Sequence, residues 1–406
     1  MANILSMELK RRNIYSEKIH RYLNKGLIIV LTGQRRVGKS YILRQIAMDL
    51  SDSNVVYIDK ENRQYGSIRN ADDLEKYLEG RLSNSQDNYL LIDEVQEIQG
   101  WEKILRSLNG IESCQIIITG SNASMLSSEL STMLSGRYVE IHIHSLCYPE
   151  FIEFHGLAKG QDSLLSYLKW GGLPHLYKLG LENEELIMTY LTDVSSTIVF
   201  KDVVTHSNIR NVNFMENLIA FIGDNVGKNF SATSISNYMK SQKDNVSTSV
   251  VLNYISALCD AFIIRKVSRY DIHGKKILET NEKYYFEDLG LRYILSSTTS
   301  NLSVVIEKLL ENVVYLHLVR KNYKVYIGTF RKAEIDFVCE RNGKKMYIQV
   351  AYILQNEDTI KREFGNLNDI DDSAEKYVVS LDPVFGNSTM GTVRHIPLVD
   401  FLMDFD

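Results

Sequence analysis

Short apolar runs alternate with amphipathic segments through the first third of the chain. Four such runs predict buried strands, over 27–31, 55–59, 89–94 and 115–122. The neighbouring segments have the periodicity of helices, over 7–24, 41–47, 72–82 and 101–108. Strands that alternate with helices form parallel sheets, and such sheets bind ligands at the carboxyl ends of their strands. The pattern therefore predicts an α/β fold built on a parallel sheet.

The pattern changes farther along the chain. Helical segments are predicted over 193–204, 214–226, 231–239 and 247–258. A hairpin of two strands, 262–267 and 276–278, follows them. The last three of these helices together with the hairpin predict a winged helix. A long apolar helix over 307–321 comes next. Three further strands are predicted, over 323–327, 334–339 and 345–350, with a hairpin turn at Asn342 and Gly343.

Length and composition describe a soluble protein with several domains. A chain of 406 residues suggests about two to four domains. No apolar run approaches the roughly 18 residues of a membrane span, and no signal peptide is evident at the start. The four cysteines have no metal-binding spacing, which is typical of a reducing compartment. We therefore expect a cytoplasmic protein without a membrane partner. Its net charge of −5 argues against coating nucleic acid by bulk electrostatics, although a local basic face remains compatible with it.

The segment Gly33–Ser40 fits the pattern GxxxxGK[ST] and falls between a predicted strand and a predicted helix. Glycines let the backbone wrap a phosphate, and the helix N-terminus directs free N–H groups at it. Lys39 would neutralise the β- and γ-phosphates, and Ser40 would ligate Mg²⁺. The pattern predicts a phosphate-binding loop for ATP, and the alternative is a chance match on a glycine turn. The predicted nucleotide contacts are Gly33, Gln34, Arg35, Arg36, Val37, Gly38, Lys39, Ser40 and Tyr41.

Two carboxylates end the third predicted strand, in the form of a Walker B segment. Asp93 would hold Mg²⁺, directly or through water, and Glu94 would activate the attacking water. Successive strand residues face opposite sides, so both carboxylates reach one site only if the strand ends there. The alternative is a solvated acidic strand end.

Four motifs together resemble the prokaryotic AAA-type ATPases that carry a C-terminal domain of unknown function. These motifs are Gly33–Ser40, Ile92–Gln96, Thr119–Ser121 and Ser135–Tyr138. The family is similar to archaeal ATPases and STAND-type NTPases. The resemblance implies a helical lid and a winged helix after the ATPase core.

The resemblance also implies roles for polar residues after the fourth strand. Ser121 and Asn122 lie where AAA+ ATPases place a sensor of the γ-phosphate, with Thr119 less favoured, and the alternative is a polar turn. Arg137 is a candidate arginine finger that stabilises the transferring phosphoryl group. A finger acting in trans would require an oligomer, and the alternative is a structural ion pair.

The segment 167–174 resembles the glycine-proline motif of STAND lids, which implies that Pro174 lies near the adenine base. The alternative is a plain helix–helix turn. We divide the chain accordingly into an ATPase core (1–150), a lid (151–210), a winged helix (211–282) and a C-terminal domain (283–406).

The predicted winged helix is a candidate DNA-binding module, and the alternative is a structural packing module. The candidate base-contacting residues of its second helix are Ser247, Thr248, Ser249 and Asn253. The candidate phosphate-contacting residues of its hairpin are Arg265, Lys266, Arg269, Lys275 and Lys276.

The last domain resembles the restriction-endonuclease-like fold, in which acidic residues and a lysine hold Mg²⁺ and activate water. The residues at the matching positions are Glu311, Asp336 and Gln349, with Ala351 at the lysine position. Glutamine is a weak, neutral ligand and alanine cannot polarise water. We therefore expect a degenerate domain whose nuclease activity is doubtful. The alternatives for the remaining carboxylates are a metal site and the capping of strands.

The leading hypothesis is a magnesium-dependent ATPase that acts as a nucleotide-driven switch, with DNA or a protein client as a candidate partner. One alternative is a DNA-processing enzyme with an active nuclease domain. Another is an interaction scaffold that binds ATP without turnover, against which the intact Glu94 argues.

Overall fold

The computed structural model describes residues 10–83, 87–109, 114–122, 136–207, 209–241, 246–297, 302–354, 356–382 and 385–405. The start of the first predicted helix, and Ser135 of the fourth motif, lie outside these ranges. Contacts divide the chain into two units, residues 1–145 with 260–262 and residues 146–259 with 263–406. None of the helices within the described ranges has the length and apolar content that crossing a membrane requires.

The first unit is built on a five-stranded parallel sheet with the strand order β2-β3-β4-β1-β5. Its strands are β1 (Ile28–Thr32), β2 (Asn54–Asp59), β3 (Asn88–Asp93), β4 (Cys114–Thr119) and β5 (Tyr138–His142). Its helices are α1 (Asn13–His20), α2 (Lys39–Asp49), α3 (Ala71–Leu78) and α4 (Trp101–Leu108), with short 3₁₀ turns at Arg63–Tyr65 and Val95–Glu97. This sheet confirms the predicted α/β architecture.

The central strands of this sheet are covered on both faces. Every residue of β1, β3 and β4 is buried, which is why these segments are nearly continuous apolar runs. One core cluster joins Val30, Leu90 and Ile116 of the sheet to Trp101 and Leu105 of α4. Helix–sheet packing thus holds the carboxyl ends of β1, β3 and β4 side by side.

The second unit contains an eight-stranded mixed sheet with the order β12-β13-β11-β10-β9-β8-β6-β7. Its strands are β6 (Ile264–Asp271), β7 (Lys276–Phe286), β8 (Lys324–Phe330), β9 (Ala333–Arg341), β10 (Lys344–Ala351), β11 (Glu375–Ser380), β12 (Ser388–Met390) and β13 (Val393–Pro397). Its helices are α5 (Tyr148–His155), α6 (Gln161–Trp170), α7 (Leu176–Leu179), α8 (Glu184–Thr197), α9 (Val212–Asp224), α10 (Ala232–Ser241), α11 (Thr248–Asp260), α12 (Leu289–Leu295), α13 (Leu302–Arg320), α14 (Glu357–Asn368) and α15 (Leu398–Asp404). A π-helical segment, Ile198–Thr205, continues α8.

The hairpin predicted as the wing of a winged helix is part of this larger sheet. Strand β6 pairs in parallel with β8, with Arg269 opposite Ile327. Strand β7 runs on to Phe286, past the predicted domain boundary at residue 282. The prediction of a hairpin was right in its position, but backbone pairing with β8 joins it to the C-terminal strands.

Three of the five basic residues proposed to contact phosphates are paired within the second unit. The ammonium of Lys266 lies 3.0 Å from Glu282 Oε1. Arg265 pairs with the fully buried carboxylate of Glu287, and Arg269 donates to Thr329 Oγ1 at 2.8 Å. The proposed phosphate contacts of this hairpin stay a prediction.

The three strands and the long helix predicted near the C-terminus are present as β8, β9, β10 and α13. Asn342 and Gly343 both have positive φ, of 51° and 76°, as the tight hairpin turn between β9 and β10 requires. The strands form the middle of the mixed sheet. Their resemblance to an endonuclease stays a prediction.

The glycine-proline motif allows a close backbone approach inside the second unit. Gly172 N–H donates to Asp288 Oδ2 at 2.8 Å, and its carbonyl accepts from Leu146 N–H at 2.7 Å. A Cβ on Gly172 would lie 2.3 Å from the Leu146 carbonyl oxygen. The glycine is thus explained by packing. Pro174 belongs to this unit, and its predicted place at the adenine base stays a prediction.

We expect Gly172→Ala to lower the free energy of unfolding of the second unit by about 1–3 kcal/mol, because backbone atoms must move to admit the methyl group. Gly365→Ala is the matched control. Gly365 lies inside α14 with nothing within 4 Å of an added Cβ, so alanine there should stabilise by about 0.5–1 kcal/mol. Denaturant midpoints measure both, and equal midpoints for the two variants would contradict the packing role.

Candidate nucleotide-binding site

The loop between β1 and α2 has a backbone that only a few residue types adopt without strain. Gly33 has φ of 141° and Gly38 has φ of 98°, where a Cβ is disfavoured. Arg36 has φ of 70° although it is not glycine. A Cβ on Gly33 would also lie 2.2 Å from the Ile143 carbonyl oxygen. The glycines of the motif are therefore needed both for the turn and for close packing.

The loop ends at the N-terminus of α2, where Gly38 is the N-cap. The N–H groups of Lys39, Ser40 and Tyr41 begin the helix and have no intrahelical acceptor, so they can bind a phosphate. The buried Lys39 places its ammonium 2.8 Å from the Gly33 carbonyl and 3.1 Å from the Gln34 carbonyl. The side chains of Arg36 and Tyr41 are exposed, and their predicted contacts with the nucleotide stay a prediction.

Strand β3 ends at the first of the two predicted carboxylates, and the backbone turns at the second. Asp93 is its last residue, and Glu94 has φ of 52°, in the left-handed region. Left-handed backbone at a non-glycine residue is costly and persists only where surrounding contacts impose it. This step interrupts the alternation of the strand, which is the condition under which both carboxylates face one site.

Thr119 at the end of β4 joins the two acidic residues. Its hydroxyl donates to Asp93 Oδ1 at 2.6 Å and accepts from the Glu94 N–H at 2.9 Å. Ser121 donates to Glu94 Oε2 at 3.3 Å, and Asn122 is buried beside it in sequence. The sequence favoured Ser121 and Asn122 over Thr119. Thr119 makes the contacts that orient the acidic pair, and the assignment of Ser121 and Asn122 as the γ-phosphate sensor stays a prediction.

The two carboxylates have opposite electrostatic environments. Burial raises the pKa of Asp93 to about 6, although hydrogen bonds from Thr119 and Ser40 partly oppose it. Burial acts in the same direction on Glu94, but the charge of Lys39 and the hydrogen bond from Gln96 outweigh it and lower the pKa of Glu94. Glu94 is therefore anionic at neutral pH. Adjacent acids with divergent pKa values are typical of sites that divide chemical roles.

The residues present fit a bound Mg²⁺. The hydroxyl of Ser40 hydrogen-bonds the carboxylate of Asp93, and hard oxygen donors of this kind are the ligands that Mg²⁺ prefers. A buried carboxylate whose pKa is raised by burial is also stabilised by a nearby cation. Ser40 and Asp93 would therefore hold the ion, as the sequence predicted.

Arg137 does not lie at this site. The residue is exposed and directly precedes β5, where its carbonyl accepts from Ile28 N–H at 2.9 Å. That position is beside the start of β1, whereas the loop follows the end of β1. Five strand residues span about 16 Å, which is longer than an arginine side chain. An arginine finger acting in cis is therefore excluded, and a role in trans stays a prediction.

Arg12 holds the end of the phosphate-binding loop through its side chain, and the sequence analysis missed it. Its buried guanidinium donates to the carbonyls of Val37 at 3.0 Å, His144 at 2.8 Å and Ser145 at 3.3 Å. These contacts tie the phosphate-binding loop to the segment that follows β5. No local pattern marks Arg12, because its partners are distant in sequence.

Gln34 connects the loop to a distant segment of the same unit. The fully buried side chain donates through Nε2 to the Phe262 carbonyl at 2.8 Å. Phe262 has φ of 54°. Residues 260–262 belong to the first unit, although the chain on either side of them belongs to the second.

Comparisons with known proteins agree with this geometry. Residues 25–152 match a family model described as an AAA domain, and residues 161–302 match a domain of unknown function (DUF8612). An uncharacterized protein of Haemophilus influenzae is 32% identical over 98% of this chain and 100% of its own length. The uncharacterized protein MJ1544 of Methanocaldococcus jannaschii is 30% identical over 87% of this chain and 81% of its own.

Among solved structures, a Walker-type ATPase of Pyrococcus abyssi has a similar fold. Its TM-score is 0.50 at 17% identity, covering 71% of this chain and 96% of that one. Together with the AAA match, this likeness of fold confirms the predicted P-loop AAA-type domain. These comparisons do not confirm the endonuclease-like fold of the C-terminal part, which stays a prediction.

We expect Mg²⁺-dependent nucleotide binding to weaken as the pH falls through about 6. Protons and Mg²⁺ compete for Asp93, whose pKa is raised to about 6, so the apparent Kd should rise toward tenfold per pH unit below that value. Titrations with Mg²⁺ and nucleotide between about pH 5 and about pH 8 measure this. Asp93→Asn should bind weakly with a flat profile.

The effect of Asp93 on the pH dependence of folding stability has the opposite sign to that of most carboxylates, whose pKa values are lowered by folding. Since the folded-state pKa of Asp93 lies above the unfolded value, its ionisation destabilises the metal-free protein above the unfolded pKa. Asp93→Asn should therefore be at least as stable as the wild type at neutral pH without Mg²⁺. A wild-type Mg²⁺ affinity that does not change between about pH 5 and about pH 8 would contradict the assignment of Asp93 as a ligand of Mg²⁺.

Proposed function

The chain belongs to the same family as the Haemophilus influenzae and Methanocaldococcus jannaschii proteins, and from this premise we propose that it is a magnesium-dependent ATPase that acts as a nucleotide-driven switch. The observation that carries the proposal is the turn at Glu94. It brings two carboxylates with different pKa values to the strand end beside the phosphate-binding loop.

The residues of the site divide the reaction among them. Lys39 and the N–H groups at the start of α2 would hold the β- and γ-phosphates. Ser40 and Asp93 would hold Mg²⁺, which neutralises charge on the phosphates. Glu94, anionic at neutral pH, would accept a proton from the attacking water. Thr119 fixes the backbone of Glu94, and Ser121 fixes its carboxylate.

This division of roles separates binding from hydrolysis. We expect Glu94→Gln to lower the rate of phosphate release by about 10²–10⁴-fold while ATP still binds, because the glutamine amide cannot accept the proton. Lys39→Ala should instead lose binding. The thermal stabilisation of about 2–3 kcal/mol that ATP supplies at a hundredfold excess over Kd should disappear in that variant.

Unchanged phosphate release from Glu94→Gln would contradict the assignment of the base. Full ATP stabilisation of Lys39→Ala would contradict the assignment of the loop. The same phosphate assay with added single-stranded or double-stranded DNA distinguishes the candidate partners. A faster release of phosphate with DNA is the expected result for an ATPase that acts on DNA. A rate that DNA does not change favours a protein client.

The switch part of the proposal is supported by the bond between Gln34 and Phe262. Gln34 is the second residue of the phosphate-binding loop, so its position depends on the same backbone that would wrap a phosphate. Phe262 is bracketed in sequence by α11 and β6. A change in the loop on nucleotide binding would act on this carbonyl and through it on the flanking elements.

We expect nucleotide to alter amide hydrogen exchange in α11 and β6 of the wild type, and Gln34→Ala to abolish that change while ATP still binds. The variant removes the donor to Phe262 and leaves the backbone of the loop in place. Gln64→Ala, at an exposed glutamine of the same unit, is the matched control and should behave as the wild type. Nucleotide-dependent exchange that persists in Gln34→Ala would rule out this route.

A further inference from the structure

The second unit contains a cluster of buried charges centred on Lys283 of β7. The lysine side chain is only 2% exposed. Its ammonium nitrogen lies 2.8 Å from Glu334 Oε1, 3.1 Å from Glu311 Oε2 and 4.0 Å from Asp336 Oδ1. Three carboxylates, one from α13 and two from β9, thus surround one lysine. We refer to these four residues as the Lys283 cluster.

Neighbouring groups hold the carboxylates in place. Tyr285 donates its hydroxyl to Glu311 Oε2 at 3.0 Å, and the Val350 N–H donates to Asp336 Oδ2 at 2.8 Å. Gln349 Oε1 accepts from the Asp336 N–H at 3.3 Å. The three residues that the sequence matched to a metal site, Glu311, Asp336 and Gln349, are therefore brought together here.

The endonuclease resemblance places a lysine at position 351, where this chain has alanine. The lysine of the cluster comes from a different strand, β7. Ala351 is buried in an apolar cluster with Tyr347 and Val378, which leaves no place for a charge. Lys283 enters from β7, 68 positions earlier in the chain. It contacts the carboxylates themselves.

Burial and neighbouring charges both act on the Lys283 cluster. Burial acts to lower the pKa of Lys283, but the surrounding carboxylates outweigh it and raise the pKa, so the lysine stays charged. Burial, with Glu311 adding to it, raises the pKa of Asp336 well above its ordinary value. Glu363 of α14 also acts on Asp336, and its buried Oε2 has no hydrogen-bond partner. The position of the ammonium, 2.8 Å from Glu334 Oε1 and 3.1 Å from Glu311 Oε2, is one that suits a cation.

We propose that Lys283 is a built-in cation that occupies the place of a divalent metal ion, so that the acidic site of the second unit is closed by its own ammonium group. The contacts carry this assignment, because the ammonium lies against the same carboxylate oxygens that would ligate a metal. An ammonium and a divalent ion at one position would repel each other. The inference is independent of the proposed ATP hydrolysis, whose phosphate-binding, metal-binding and base residues lie in the first unit.

The proposal and the nuclease interpretation make opposite predictions for Lys283. A catalytic lysine acts beside a bound metal, and its removal abolishes cleavage. A built-in cation excludes the metal, and its removal opens a site lined by Glu311, Glu334 and Asp336. Metal binding by the full-length chain therefore separates the two.

We expect Lys283→Ala to gain one Mn²⁺ per chain relative to the wild type, as measured by equilibrium binding with electron paramagnetic resonance detection. Its apparent melting temperature should fall without metal and rise again as Mn²⁺ is added, because the three carboxylates lose their counter-charge. Lys283→Arg keeps the charge and should match the wild type. Adding Asp336→Asn to Lys283→Ala should remove the gained ion.

A folded Lys283→Ala that binds no additional Mn²⁺ would overturn the proposal. If that variant does not fold in any condition, the wild type and Asp336→Asn still decide the matter. Equal Mn²⁺ stoichiometry in these two proteins is expected, and one ion fewer in Asp336→Asn would show that metal enters beside Lys283. Metal-dependent DNA cleavage by the wild type, lost in Asp336→Asn, would also overturn it.

Discussion

The candidate site depends on one backbone constraint, the left-handed step at Glu94. A strand sends successive side chains to opposite faces, whereas a nucleotide site needs a metal ligand and a base on the same side. The structure meets this need by ending β3 at Asp93 and turning the next residue out of the β region. Thr119 holds the turn, since its hydroxyl bonds both the Asp93 carboxylate and the Glu94 N–H. Sheet order makes this bond available, because β4 lies directly beside β3.

The two units bury acidic residues in different ways. In the first unit, Lys39 donates to backbone carbonyls of its own loop and acts on Glu94 through its charge. Asp93 is left with hydroxyl donors and a raised pKa, which suits a carboxylate that takes a metal ion. In the second unit, Lys283 bonds the carboxylates directly. A lysine placed on backbone oxygens leaves room for an external cation, and one placed among carboxylates does not.

Close backbone approach accounts for the glycines that matter most. Gly33 and Gly172 each face a carbonyl oxygen within 2.3 Å of where a Cβ would stand. The first contact sets the phosphate-binding loop against the segment after β5, and the second sets the glycine-proline motif against Leu146. In both units a recognisable motif therefore serves packing as well as any contact with a ligand.

Local patterns in the chain were enough to predict the features that arise within a short window. Apolar runs located the buried strands, the glycine spacing located the phosphate-binding loop, and Asn342 with Gly343 located a hairpin turn. These patterns are visible because side-chain period and turn chemistry act between near neighbours. Tertiary structure decided the rest. It set Gln34 on Phe262, 228 positions away, and Arg12 on His144, 132 positions away. It placed Arg137 at the far end of β1, and it brought Lys283 to carboxylates that local matching had assigned to a metal. Such contacts depend on strand order and on the burial of charge, which no single stretch of sequence encodes.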